Sequence, residues 1–182
     1  EVCSGIINGL QFLYENNIVH RDLKPENIIL TLDEKCAVIT DFGLSTIYYK
    51  NKMNYFMDIQ TIWYRSPEIF FKIPYNESID IWSYGILFYE LLLNNHFITT
   101  KKGEDYLIHI VHVLGLPNEK YILSDYRIIT HFSHINNTWE LNRGVDSYNI
   151  ILLPGKKNIL NIDYVLENCN LDEFIISLIL QF

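Results

Sequence analysis

The sequence is short of positive charge, alanine and cysteine, and it has no long unbroken apolar run. Its 14 Lys and Arg stand against 22 Asp and Glu, a formal net charge of −8. A nucleic-acid binder leaves a basic footprint, so that class is disfavoured. The pairs Lys101-Lys102 and Lys156-Lys157 are too small to change this and read as solvated loop residues. The three cysteines, Cys3, Cys36 and Cys169, form no C-x-x-C pair, so neither a zinc site nor a disulfide framework is suggested. An intracellular compartment, nucleus or cytoplasm, fits them best, and the sequons at Asn76 and Asn136 then carry no meaning. The longest apolar stretch, Ile79 to Leu93, is interrupted by Asp80, Ser83 and Glu90 and is too short to cross a bilayer. No membrane partner is expected.

What is present is a globular composition. The 182 residues are 49% hydrophobic and 14% aromatic, enough for one sizeable core. Apolar positions Val2, Ile6, Leu10 and Leu13 recur at helical spacing, and Asn16-Asn17 suit the end of that helix. Ile28-Ile29-Leu30 and Ala37-Val38-Ile39 read as two short strands joined by a turn over residues 32–35. Residues 44–62 lack periodicity and read as a long functional loop. Pro67 can begin a helix. Residues 79–93 are apolar on all faces, which predicts a buried helix. Gly85 in its middle predicts close backbone packing, and Asp80 places a carboxylate at the positive end of the helix dipole. Residues 105–114 predict an amphipathic helix with Leu107, Ile110, Val111 and Leu114 on one side, stopped by Gly115-Leu116-Pro117. Residues 118–170 predict loops with short helices, and 171–181 a last helix. The expected class is mainly α with one small β-hairpin.

The polar run His20-Arg21-Asp22-Leu23-Lys24-Pro25-Glu26-Asn27 lies between two apolar segments. The hairpin that follows brings Asp41-Phe42-Gly43 back beside it. Phosphoryl transfer needs an aligned acceptor hydroxyl, held phosphates and neutralised charge. Asp22 can orient a hydroxyl and take its proton, and Lys24 can neutralise charge on the transferring group. Asn27 and Asp41 supply the hard oxygens that magnesium prefers. The pairs His109/His112 and His131/His134 have no Glu or Cys at ligand spacing and predict surface or boundary histidines instead of a metal site.

These residues carry a resemblance. The run from His20 to Asn27, Asp41-Phe42-Gly43 and Ser66-Pro67-Glu68 resemble the catalytic-loop, magnesium-loop and closing motifs of eukaryotic protein kinases. The stretch from Asp80 to Gly85 is similar to that family's central buried helix. The likeness is strong over residues 1–116 and weaker after. It implies an ATP- and Mg2+-dependent Ser/Thr kinase of the cyclin-dependent and MAP-kinase (CMGC) group, with 1–182 as the larger, C-terminal lobe of an incomplete kinase domain. Asp22 would be the catalytic base, Lys24 a γ-phosphate contact, and Asn27 and Asp41 the metal ligands. Ile29 would lie under the adenine, and Thr61 would bond near Asp22 and Lys24. His20 and Phe42 would be packing residues.

Trp63-Tyr64-Arg65 points to the same group, with Arg65 shaping a pocket for proline after the target residue. Partners would be a protein substrate with a Ser or Thr acceptor and a cyclin-like subunit. Asp41 to Glu68 is 28 residues, the family's usual length. Yet Phe56 stands at the activating threonine's position, and Thr46 replaces an arginine that would grip its phosphate. Activity is therefore expected not to need phosphorylation at 56, with Tyr55 and Phe56 closing the loop by packing. A pseudokinase scaffold and a casein-kinase-II-like enzyme are the competing readings. No Gly-rich loop or strand lysine is present in 1–182. Glu68 resembles a carboxylate whose arginine partner would lie beyond Phe182, so marginal stability is expected of 1–182 alone.

Overall fold

The computed structural model describes residues 2–32, 36–49, 58–98 and 103–142. The expectations for the turn at 33–35, for Tyr55 and Phe56, for both lysine pairs, for Cys169 and for the helix at 171–181 lie outside these residues.

Helix α1 (Val2–Glu15) buries Ile6, Leu10 and Leu13, the predicted stripe. It ends where Asn17 turns left-handed at φ 56°, a conformation Asn tolerates better than most residues. The buried stripe lies against a hairpin of β2 (Ile28–Leu30) and β3 (Ala37–Ile39), paired Ile28 to Ile39 and Leu30 to Ala37. Period-2 alternation sends Ala37 and Ile39 inward and leaves Ile29 and Val38 exposed on the opposite face. Helix and hairpin approach closely at Gly5, where an added Cβ would sit 2.7 Å from the Ala37 carbonyl oxygen. Gly5→Ala should therefore push α1 off the hairpin and cost about 1–3 kcal/mol of overpacking strain. Chemical denaturation of the two proteins measures it, and equal midpoints would contradict the contact.

The long apolar stretch folds as α3 (Ser78–Leu93). It buries Ile79, Asp80, Ser83, Tyr84, Ile86 and Leu87. It is not buried all round, because Ile81 and Leu91 are exposed among the described residues. A Cβ added at Gly85 would likewise meet nothing within 4 Å among those residues, so the expected close approach is absent there. Helix α2 (Pro67–Phe70) starts at Pro67 as anticipated. Helix α4 (Gly103–Leu114) begins two residues early and ends at Gly115, at φ 86°. Its buried residues include Tyr106, Leu107 and Ile110, whereas Leu114 is exposed, so the predicted apolar side is shorter than expected. One core cluster unites α1, β3, α3 and α4.

Short helices α5 (Glu119–Ile122) and α6 (Tyr126–Ile129) follow, each capped by an Asx side chain, Asn118 and Asp125. Two strand pairs depart from the expected single hairpin. β1 (Ile18–Val19) pairs with β4 (Thr46–Ile47), so part of the supposed loop is a strand. β5 (Phe132–Ile135) and β6 (Thr138–Leu141) form a hairpin where loops and helices were expected. Its turn is Asn136-Asn137, with φ 49° and 63°, a two-residue connection of the kind that matches strand twist. Among the described residues, no helix is long and apolar enough to cross a membrane.

Candidate phosphoryl-transfer site

The polar run enters from β1 and is held by one buried carboxylate. Asp80, in the first turn of α3, is 3% exposed. Its Oδ2 accepts from the His20 N–H at 2.6 Å and its Oδ1 from the Arg21 N–H at 2.9 Å. Burial pushes the Asp80 carboxyl upward, and these two N–H groups pull the other way. Arg21 is left-handed at φ 70°, which aims two successive amides at one acceptor.

His20 is fully buried and stacks edge-on against Phe42 with centroids 5.2 Å apart. Its Nε2 lies 2.9 Å from the Thr40 carbonyl, so it packs, as expected. The Arg21 guanidinium donates to the Leu44 carbonyl at 2.5 Å and to the Tyr75 hydroxyl at 3.4 Å. Thr46, the position expected to lack a phosphate-gripping arginine, is in β4 opposite Val19.

Asp22 then projects beside Lys24 and Thr61. The Lys24 Nζ is 2.8 Å from Asp22 Oδ2. The Thr61 hydroxyl donates to Asp22 Oδ1 at 3.0 Å, and the Thr61 N–H at 3.2 Å. Lys24 also reaches the Thr61 hydroxyl at 3.3 Å. Burial raises the Asp22 carboxyl, but the bonds from Lys24 and Thr61 outweigh it and hold the group below the ordinary carboxylate range. Lys24 is raised in return, first by its bond to Asp22. Both are therefore ionised at neutral pH. An ionised carboxylate held from one side can orient an incoming hydroxyl and receive its proton as the bond to phosphorus forms.

Asn27 is buried at the end of a 3-10 turn that Pro25 opens. Its Nδ2 donates to the Asp22 carbonyl at 2.8 Å, which assigns the amide orientation and makes Oδ1 the atom that could face a cation. The Thr40 N–H donates to the Asn27 carbonyl at 2.9 Å and ties the two ends of the hairpin together. Asp41 follows in the left-handed conformation, φ 60°, with Oδ1 accepting from the Gly43 N–H. An amide oxygen and an exposed carboxylate fit magnesium, which binds through few protein oxygens and completes its shell with phosphate and water. Among the described residues no group of three or more His, Cys, Asp and Glu could hold a metal. Of the paired histidines, His131 lies half-buried against Phe70 and Phe71 and the exposed His134 against Trp139, the boundary and surface places expected of them. The side chain of His112 lies outside the described residues.

The segment around Arg65 is held from several sides. Arg65 donates to the Gln60 carbonyl from Nε at 3.3 Å and Nη2 at 3.0 Å, and its Nη1 is 3.5 Å from Asp58. The Tyr64 hydroxyl donates to Glu90 at 2.7 Å, and the Tyr106 hydroxyl to the Arg65 carbonyl. Glu68 is half-buried. Gln60 and Tyr75 do not stand out in the sequence. A polar side chain in a loop carries no signal for burial until its partners are known.

The family model described as protein kinase domain matches residues 1–149. "Cell division control protein 2 homolog 1" of Trypanosoma brucei brucei is 34% identical over 121 residues, 66% of this chain and 40% of that protein. "Cyclin-dependent kinase 4" of Xenopus laevis is 39% identical over 114 residues, 63% of this chain and 35% of its own length. "Cyclin-dependent kinase-like 5" of Mus musculus is 34% identical over 174 residues, 90% of this chain and 18% of that protein. The chain thus spans less than half the length of these relatives. The buried aspartate that holds the loop, the Asp-Lys-Thr cluster and the Asp-Phe-Gly turn all lie within the residues that the family model matches, and the chain belongs to the protein kinase family.

Proposed function

We propose that this chain carries the catalytic floor of a protein serine/threonine kinase that transfers the γ-phosphate of ATP to Ser or Thr hydroxyls of protein substrates. The observation that supports it most is the Asp22 carboxylate, gripped by Lys24 at 2.8 Å and by the Thr61 hydroxyl at 3.0 Å. In this reading Asp22 accepts the substrate hydroxyl's hydrogen bond and then its proton. The oxygen–phosphorus bond forms as the bond to the ADP leaving oxygen breaks. Lys24 neutralises charge on the transferring group. Asn27 and Asp41 would hold magnesium, which supplies charge neutralisation across the phosphates. Ile29, exposed beside Val38 on the outer hairpin face, offers an apolar floor for adenine. In this reading 1–182 corresponds to the larger lobe of the kinase domain, and the protein works in the nucleus or cytoplasm, with a cyclin-like subunit as regulatory partner.

The finer reading is proline-directed. Arg65 spends two N–H donors on the Gln60 carbonyl, and Gln60 is left-handed at φ 64°. That carbonyl is turned inward and satisfied, so it offers nothing to a substrate amide, and proline has no amide to satisfy. A peptide array assayed with the complete reading frame should favour Ser-Pro and Thr-Pro over Ser-Ala and Thr-Ala by on the order of 10-fold, the range a small pocket provides. Equal rates would contradict it, and a preference for acidic neighbours would support the casein-kinase-II-like reading instead.

A further inference from the structure

Gln60 combines two features that are unusual together. It is a non-glycine residue at φ 64°, and it is 5% exposed although polar. A non-glycine residue held left-handed persists when its surroundings over-determine it. Here they do. The Nε2 donates to the Ile79 carbonyl at 3.1 Å and to the Ser83 hydroxyl at 3.0 Å, both in α3. The Oε1 accepts from the Ser66 N–H at 2.8 Å. Both amide hydrogens and one oxygen lone pair are thereby used. Ser83 is itself fully buried and bonds the Tyr64 carbonyl at 2.7 Å. The carboxamide thus joins both ends of the 60–66 segment to the helix that also carries Asp80.

The next residue along the chain is Thr61, whose N–H and hydroxyl both end on Asp22. Two attachments to α3 therefore bear on the catalytic geometry. Asp80 holds the His20–Arg21 backbone, and Gln60 holds the Thr61 backbone. We propose that Gln60 is a positioning residue for phosphoryl transfer: its carboxamide pins the 60–66 segment to α3 and so keeps Thr61 on the Asp22 carboxylate. This rests on the kinase reading given above, and its test carries a readout that does not.

Two substitutions separate the carboxamide from the backbone conformation. Gln60→Met keeps the volume and removes the hydrogen bonds. Gln60→Gly eases the left-handed backbone and also removes them. Each is made in the complete reading frame and compared with wild type below its melting transition. Thr61 amide exchange should speed up about five- to tenfold in both variants, the equivalent of one net hydrogen bond. Peptide kcat should fall on the order of 10²-fold with the KM for ATP unchanged, because misplacement leaves nucleotide binding alone. Wild-type Thr61 protection in either variant overturns the proposal, as does full kcat in Gln60→Gly, which would mean that only the backbone angle matters. Faster Thr61 exchange in both variants of a protein that phosphorylates nothing would sustain the pin and overturn the kinase reading alone.

Discussion

Replacing Asp80 with Ala should remove roughly 2–6 kcal/mol of stability, at about 1–3 kcal/mol for each buried donor left without an acceptor. The His20 and Arg21 N–H groups both end on this one carboxylate, at 2.6 and 2.9 Å. His20 is completely buried and Arg21 nearly so, so bulk solvent does not reach either donor. Against the roughly 5–15 kcal/mol of a whole domain, that loss is a large share. Asp80→Asn should cost less, since its single oxygen still accepts one of the two. Denaturant midpoints of the three proteins give the order wild type, Asn, Ala. An Ala variant within about 1 kcal/mol of wild type would mean that the loop is held by its neighbours and not by α3. Such neighbours include the second core cluster, Val19, Ile59, Ile69, Tyr75 and Ile79, together with Phe42 against His20 and the Leu44 carbonyl on Arg21.

Where side chains act through short spacing, the sequence is readable. His20 to Asn27 and Asp41 to Gly43 are separated by one hairpin, whose strands 28–30 and 37–39 follow from β-branched runs. The hairpin's register then brings Asn27 and Asp41 together without further information. Thr61 depends on resemblance, because 39 residues separate it from Asp22 in their shared hydrogen bond. Two strand pairs escape a reading of the sequence for different reasons. β1 and β4 are two residues each, too short for any alternation to register. The β5–β6 turn is marked by Asn136-Asn137, but without glycine the dipeptide reads as a loop. Gly85 misleads because a glycine in an apolar helix suggests contact, while its partners depend on tertiary packing alone. Gln60 is invisible for the same reason: nothing in a loop sequence announces that a carboxamide will meet a carbonyl of residue 79 and a hydroxyl of residue 83.

Asp22→Asn should lower phosphoryl transfer by ~10²–10⁴-fold, the usual cost of losing a general base. The substitution is nearly isosteric. Asn can still accept from Thr61 through its oxygen, so the loop keeps its shape. What is lost is the negative charge that receives the proton and balances Lys24 at 2.8 Å. Nucleotide binding should change little, because Asn27 and Asp41 remain. The direct test is transfer of labelled γ-phosphate from ATP to a Ser/Thr peptide by the complete reading frame, wild type and Asp22→Asn side by side with magnesium. The account predicts labelled peptide from the wild type and a residue of about 1% or less from the variant. Equal labelling by the two proteins would contradict it.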